Sequence, residues 1–182
     1  MRSLAFPVPA LEGGGVALRP WTVDDVDHLV SAWKDPEVLR WTSVPDDAGP
    51  EKATAWIAGA DNRLETATAL DLVVVDEGDT AVGEVGLSEL DHDRRVALIG
   101  WWTAGHARGR GFATQAVNLL VEWALDSPLD LAAVVARIHP DNEGSLAVAR
   151  ATGFRSLATR GHREVVMIAM SPQRLRPTGS SL

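Results

Sequence analysis

A chain of 182 residues with 46% hydrophobic and 23% charged residues has the size and composition of one globular domain with a sizeable core. Its 25 acidic residues against 17 basic ones give a net charge of -8, the wrong sign for a chain whose main partner is nucleic acid, which needs a positive field to displace counterions. The absence of cysteine excludes structural disulfides, thiolate metal sites and a cysteine nucleophile.

Met1 to Ala10 holds one Arg and two prolines and lacks the apolar stretch of a signal peptide. No run approaches the roughly 20 apolar residues that span a bilayer, so a cytoplasmic protein without membrane contact is expected. Ala17-Leu18-Arg19-Pro20 reads as a short strand stopped by proline. Thr22 is placed to cap a helix whose first turn holds Asp24 and Asp25 and whose Val26, Leu29, Val30 and Trp33 form one apolar stripe. Asp35-Pro36 is expected to end it. Beyond a loop carrying Trp41, Pro45 and Gly49, a second helix is expected from Pro50 to Ala60.

The period then changes. The β-branched run Ala69 to Val75, the turn Asp76-Glu77-Gly78-Asp79 and the run Ala81 to Leu90 read as a hairpin. A third antiparallel strand is expected over Arg94 to Thr103, followed by a helix from Phe112 to Leu125, a strand from Leu131 to Ile138 and a helix from Asn142 to Thr152. Short strands near Phe154 to Thr159 and Arg163 to Met170 close the expected order, β-α-α-β-β-β-α-β-α-β-β. This is one α+β domain over residues 1–171, a central mixed, mostly antiparallel sheet flanked by helices. Residues 172–182 are expected to be a disordered tail.

The segment from Trp101 to Thr114 leaves a strand and enters a helix, and it has the features of an anion site. Gly109 and Gly111 permit a tight turn that exposes backbone amides. The helix beginning near Phe112 offers unpaired N–H groups and the positive end of its dipole. Arg108 and Arg110 add charge, with Arg94 and Arg95 expected nearby, and the small Ala113 permits close approach. Glycine spacing alone is equally satisfied by a plain strand-to-helix turn. The loop lacks the Gly-Lys-Ser/Thr ending of a nucleotide P-loop and the three-glycine dinucleotide pattern.

This stretch resembles motif A of the GNAT superfamily of N-acetyltransferases, Gln/Arg-x-x-Gly-x-Gly/Ala, through Arg108, Gly111 and Ala113. The resemblance implies that the amides of Arg108, Gly109, Arg110, Gly111, Phe112, Ala113 and Thr114 hold the pyrophosphate of acetyl-coenzyme A. It implies that the backbone of Trp101, Trp102 and Thr103 holds the pantetheine arm. Downstream, Asn142 and a helix ending in Gly153-Phe154 resemble the superfamily's motif B, and Asn142 with Ser145 is similar to the Asn-x-x-Ser of its RimJ/RimL-like branch, which acetylates ribosomal-protein N-termini. The resemblance implies that Asn142 and Ser145 also help to bind the cofactor, and capping alone also accounts for Asn142. The superfamily's usual acid, a tyrosine, has Ala149 in its place, and the chain contains no tyrosine. The resemblance spans Val16 to Met170, with Leu18-Arg19-Pro20-Trp21, Asp35-Pro36-Glu37-Val38 and Gly83-Glu84-Val85-Gly86-Leu87 similar to the same branch.

The implied activity moves an acetyl group from acetyl-coenzyme A to a primary amine, a protein N-terminus or a small molecule, by direct attack in a ternary complex and without a metal. Its alternative is a non-catalytic acyl-coenzyme A sensor. Ser145 would assist the departing thiolate, and Glu84 or Glu164 would take the amine proton. Glu84 shares a strand face with Gly86, whose missing side chain leaves room. Trp41 would shape the acceptor pocket, and members of this branch often form homodimers.

Overall fold

The computed structural model describes residues 4–45, 47–126, 129–160 and 164–170. The expected tail at 172–182 lies outside these residues. Among the described residues eight strands form one sheet: β1 (Leu11–Gly13), β2 (Val16–Pro20), β3 (Ala69–Asp76), β4 (Ala81–Asp91), β5 (Val96–Thr103), β6 (Ala133–Ile138), β7 (Arg155–Arg160) and β8 (Glu164–Met170). Their spatial order is β1-β2-β3-β4-β5-β6-β8-β7. All neighbours pair antiparallel except β5 and β6. The helices are α1 (Val26–Trp33), α2 (Pro36–Trp41), α3 (Pro50–Ala58), α4 (Ala60–Glu65), α5 (Phe112–Asp126) and α6 (Glu143–Ala151). Among the described residues no helix is long and apolar enough to cross a membrane.

Strand alternation gives the sheet two apolar faces. Leu70, Leu72, Val85, Leu87 and Ile99 pack with α5 residues such as Val117 and Leu120. The opposite face buries Val73 and Val75 against Leu29 and Trp33 of α1 and Ile57 of α3.

Four local expectations are corrected. Asp35-Pro36 ends α1 and also starts α2, because the Asp35 carboxylate accepts from the amides of Glu37 and Val38 and Pro36 needs no donor at a helix start. The helix expected to run to Ala60 stops at Ala58, and α4 follows Gly59. β1 was not expected. β5 starts at Val96, because Arg95 has a positive φ of 57° and belongs to the turn.

Asp25 ties the first strand to the first helix. It is 3% exposed and accepts from both Arg19 Nη atoms at 2.8 and 3.0 Å and from the Thr22 amide and hydroxyl at 2.8 and 3.0 Å. Burial works against its charge, but the Arg19 guanidinium and Thr22 outweigh that and hold its carboxyl below the usual range. Asp25→Ala leaves Arg19 with only the exposed Asp79 as counter-charge and the Thr22 amide without its acceptor, and the expected cost is about 2 kcal/mol. Chemical denaturation checks it; a loss below about 1 kcal/mol would show that the network contributes little.

Candidate active site

The site begins where the sheet splits. β5 and β6 run parallel but pair only at Val96–Ala133, Ala97–Val134 and Leu98–Val135. Past Leu98 the strands diverge, so the β6-facing edge of β5 from Ile99 to Thr103 has no ladder partner. α5 enters and α6 starts at this opening. Two cavities occupy it, of about 600 and about 550 Å³.

The larger is a groove lined by Trp101 to Thr103, Arg108, Gly109, Gly111 to Thr114, and Asn142 to Ser145. Gly109 and Gly111 have φ of 74° and 82°, and a Cβ at either would meet no protein atom within 4 Å. The loop is therefore an open cradle. The N–H of Gln115 bonds to the Gly111 carbonyl at 3.1 Å, which leaves the amides of Phe112, Ala113 and Thr114 free at the helix end. Uncommitted donors, a helix dipole and a cradle without side chains fit a phosphorylated ligand.

The cations are placed differently from the expectation. Arg108 lines the groove, but its Nη2 donates to Asp35 Oδ1 at 2.7 Å, and that pairing, first among its causes, holds the Asp35 carboxyl below the usual range. The loop is thereby anchored to the N-terminus of α2. Arg110 lies over the Phe112 ring at 4.5 Å and lines neither cavity. Arg94 and Arg95 pair with Asp91 and Asp130 at the far end of β5, roughly 25 Å away at about 3.3 Å per residue. They do not join a basic patch.

At the start of α6, Asn142 Oδ1 accepts from the Ser145 amide at 3.0 Å. Gly153, with φ 80°, follows the helix end. The Ser145 hydroxyl has no partner among the described residues, and Ser145 lines both cavities. Ala149, in place of the usual tyrosine, is fully buried in the core.

The smaller cavity is floored by the cross-strand pair Glu84–Trp102 and the row Asp71–Gly86–Gly100. The absent side chain of Gly100, where a Cβ would meet nothing within 4 Å, hollows the floor. A Cβ at Gly86 would meet the Leu70 carbonyl at 2.7 Å and Asp71 Oδ1 at 3.4 Å, so the room expected there is taken up by the close approach of β3. Glu84 sits on this floor, and its carboxyl is pushed up to about 8, first by burial and then by the Asp71 carboxylate. The indoles of Trp102 and Trp21 and the Arg63 guanidinium act in the other direction.

Trp41, Thr42, Trp101, Trp102, Asn142 and Ser145 line both cavities. Trp41 closes their junction by meeting the His139 ring at 5.3 Å, and its Nε1 donates to Glu37 at 2.9 Å. The two tryptophans of β5 part company, Trp101 packing on the α5 side and Trp102 on the α1 side. Glu164 lines neither cavity. It opens β8 opposite Arg160, so the structure does not bring it to the site. Sequence reasoning missed Asp71, Arg63, Trp33 and Trp56. The one signal available was Asp71, a charge interrupting the apolar run from Ala69 to Val75.

Residues 16–155 match the model of the acetyltransferase (GNAT) domain. An uncharacterised N-acetyltransferase, p20, from Bacillus licheniformis is 28% identical over 141 residues, covering 77% of this chain and 79% of that one. Among solved structures, the ribosomal-protein-S5-alanine acetyltransferase of Vibrio fischeri superposes with a TM-score of 0.77 at 18% identity, covering 92% of this chain and 99% of that one. The RimJ protein of Mycobacterium smegmatis, solved with CoA-disulfide, gives 0.76 at 19%, covering 88% and 84%. With a family match over most of its length and an open glycine loop at the split of its sheet, the chain belongs to the acetyltransferase (GNAT) family and is an acetyl-coenzyme A-dependent N-acetyltransferase.

Proposed function

We propose that the larger groove takes acetyl-coenzyme A, the smaller cavity takes a primary amine, and the acetyl group passes between them by direct attack. The carrying observation is that the two cavities share the six lining residues from Trp41 to Ser145 named above. A nucleophile in one would meet an electrophile in the other there without crossing solvent.

Acetyl-coenzyme A supplies an acyl group already activated as a thioester. The free amides of Phe112, Ala113 and Thr114 hold its pyrophosphate, and the unpaired edge of β5 at Trp101, Trp102 and Thr103 holds its arm. Glu84 is the base. It lies opposite Trp102, one strand away from the shared lining, and a carboxyl lifted toward neutral pH is matched to removing a proton from an ammonium. Ser145 donates to the sulfur as it leaves; a hydroxyl is a weak acid, so its work is charge stabilisation by one hydrogen bond.

Release of free coenzyme A with a panel of amines and peptide N-termini tests the proposal. Turnover with a primary amine is the expected result; no release with any acceptor would overturn it. Ser145→Ala should leave the acetyl-coenzyme A-induced rise in Tm unchanged and lower kcat about 10- to 100-fold, the weight of one hydrogen bond to an ionised group. An unchanged kcat would remove Ser145 from the chemistry.

A further inference from the structure

The smaller cavity has a wall more specific than a generic amine site requires. Trp33, Trp56 and Trp102 line it and are fixed to one another through Trp21. Trp21 meets Trp56 edge-on, with centroids 6.0 Å apart and planes at 82°, and stacks on Trp102 at 6.2 Å. Trp33 meets Trp56 edge-on at 6.3 Å. The Arg63 guanidinium covers the Trp56 ring at 4.4 Å and is held by Asp71 at 2.7 Å and the Trp56 carbonyl at 2.9 Å. Indoles interlocked in this way have little freedom left to lose, so the wall is preformed for a flat or branched apolar body.

The charges are equally selective. Two carboxylates line the cavity, Asp71 and Glu84. Asp71 is matched by Arg63, whereas Glu84 has no ion-pair partner among the described residues. Trp21, 5% exposed, points an indole N–H to the Glu84 side with no acceptor in hydrogen-bonding geometry. An ammonium docked beside Glu84 supplies the one cation that the ionised form of this carboxyl lacks, beside indole faces that also favour it. A linear polyamine brings a second ammonium for which the lining holds no second unpaired carboxylate. A peptide would need its main-chain groups met by the polar part of the lining, such as Ser43, Ser88, Arg137 and His139, away from the indole wall.

Resting on the reading that this cavity is the acceptor side, we propose that the acceptor is a compact primary amine with an aromatic or branched apolar body, its ammonium toward Glu84 and its body against Trp33, Trp56 and Trp102. Arg63 and Asp71 are positioning residues that hold Trp56 in place.

The test follows coenzyme A release at saturating acetyl-coenzyme A with three acceptor sets: 2-phenylethylamine and isoamylamine, spermidine, and short peptides beginning with Ser or Ala. The compact amines are expected to show kcat/KM at least tenfold above the other sets. Trp56→Leu should raise the KM for 2-phenylethylamine about tenfold with kcat within threefold, and Trp56→Phe should recover most of that loss. An unchanged acetyl-coenzyme A-induced rise in Tm shows that both variants fold. Higher kcat/KM for peptides or spermidine, or a KM within twofold in Trp56→Leu, would overturn this inference and leave the acyl-transfer reading standing. Acetyl-coenzyme A binding without release to any acceptor would overturn both.

Discussion

Gly111→Val is expected to abolish the stabilisation that acetyl-coenzyme A gives the wild-type protein. At a hundredfold excess over Kd, a ligand that binds only the folded state contributes about 2.7 kcal/mol. For a chain of this length that is a rise of roughly 5–10 °C in Tm. Two effects act at this position. The φ of 82° lies in the left-handed region, where a β-branched residue is strained by about 1–3 kcal/mol. The space a side chain would enter is open in the protein and belongs to the groove, so valine would occupy the ground assigned to the pyrophosphate and tilt the free amides away from it. Gly153→Val separates the two effects. Gly153 has a φ of 80° and similarly open surroundings but follows α6 outside the groove. Both variants should lose stability without ligand, and only Gly111→Val should lose the ligand-induced rise. Wild-type affinity in Gly111→Val would remove the loop from cofactor binding.

The legibility of that loop in the sequence has a physical basis. The cradle proposed for the phosphate is a local structure: two glycines, a helix start and small residues within one short stretch carry nearly all of it. The β3–β4 hairpin and the capped helix α6 were readable for the same reason, since turn residues and caps act over a few positions. The acceptor side is assembled from distant parts of the chain. Asp71 meets Arg63 only because α4 exists, and a six-residue helix is too short to show a period. Trp33 and Trp56 come from two helices and Trp102 from a strand, and nothing in their spacing says that they touch. The basic patch failed for a related reason. Arg94 and Arg95 are close to Arg108 in sequence, but a fully extended strand separates them. Asp35 shows the converse, since its carboxylate reads as a local cap yet also receives Arg108 from 73 positions away.

Glu84→Gln bears directly on the chemistry, and its expected effect is a fall in kcat/KM of about a hundredfold, within the range for loss of a positioned base. The pH dependence gives a sharper result. The Glu84 carboxyl is pushed up to about 8 by burial and by Asp71, against the pull of Trp102, Trp21 and Arg63. The ionised base therefore accumulates as pH rises, and wild-type kcat/KM should climb through pH 7 and level off above about 8. A primary alkylamine acceptor titrates near the lysine value, about 10, so its own ionisation produces a separate limb at higher pH. Glutamine should erase the limb near 8 and leave the later one. Stability supplies an independent reading of the same group. A carboxyl whose folded-state value lies above its ordinary 4.5 stays protonated in the folded chain after the unfolded chain has ionised. Its contribution is intact below pH 4.5 and is lost as pH rises toward 8. Glu84→Gln should thus raise Tm relative to wild type at pH 8.5 and leave it unchanged at pH 4.5. A limb near pH 8 that persists in Glu84→Gln would assign the proton to another acceptor, and an unchanged Tm difference between the two pH values would show that Glu84 is not held in its neutral form.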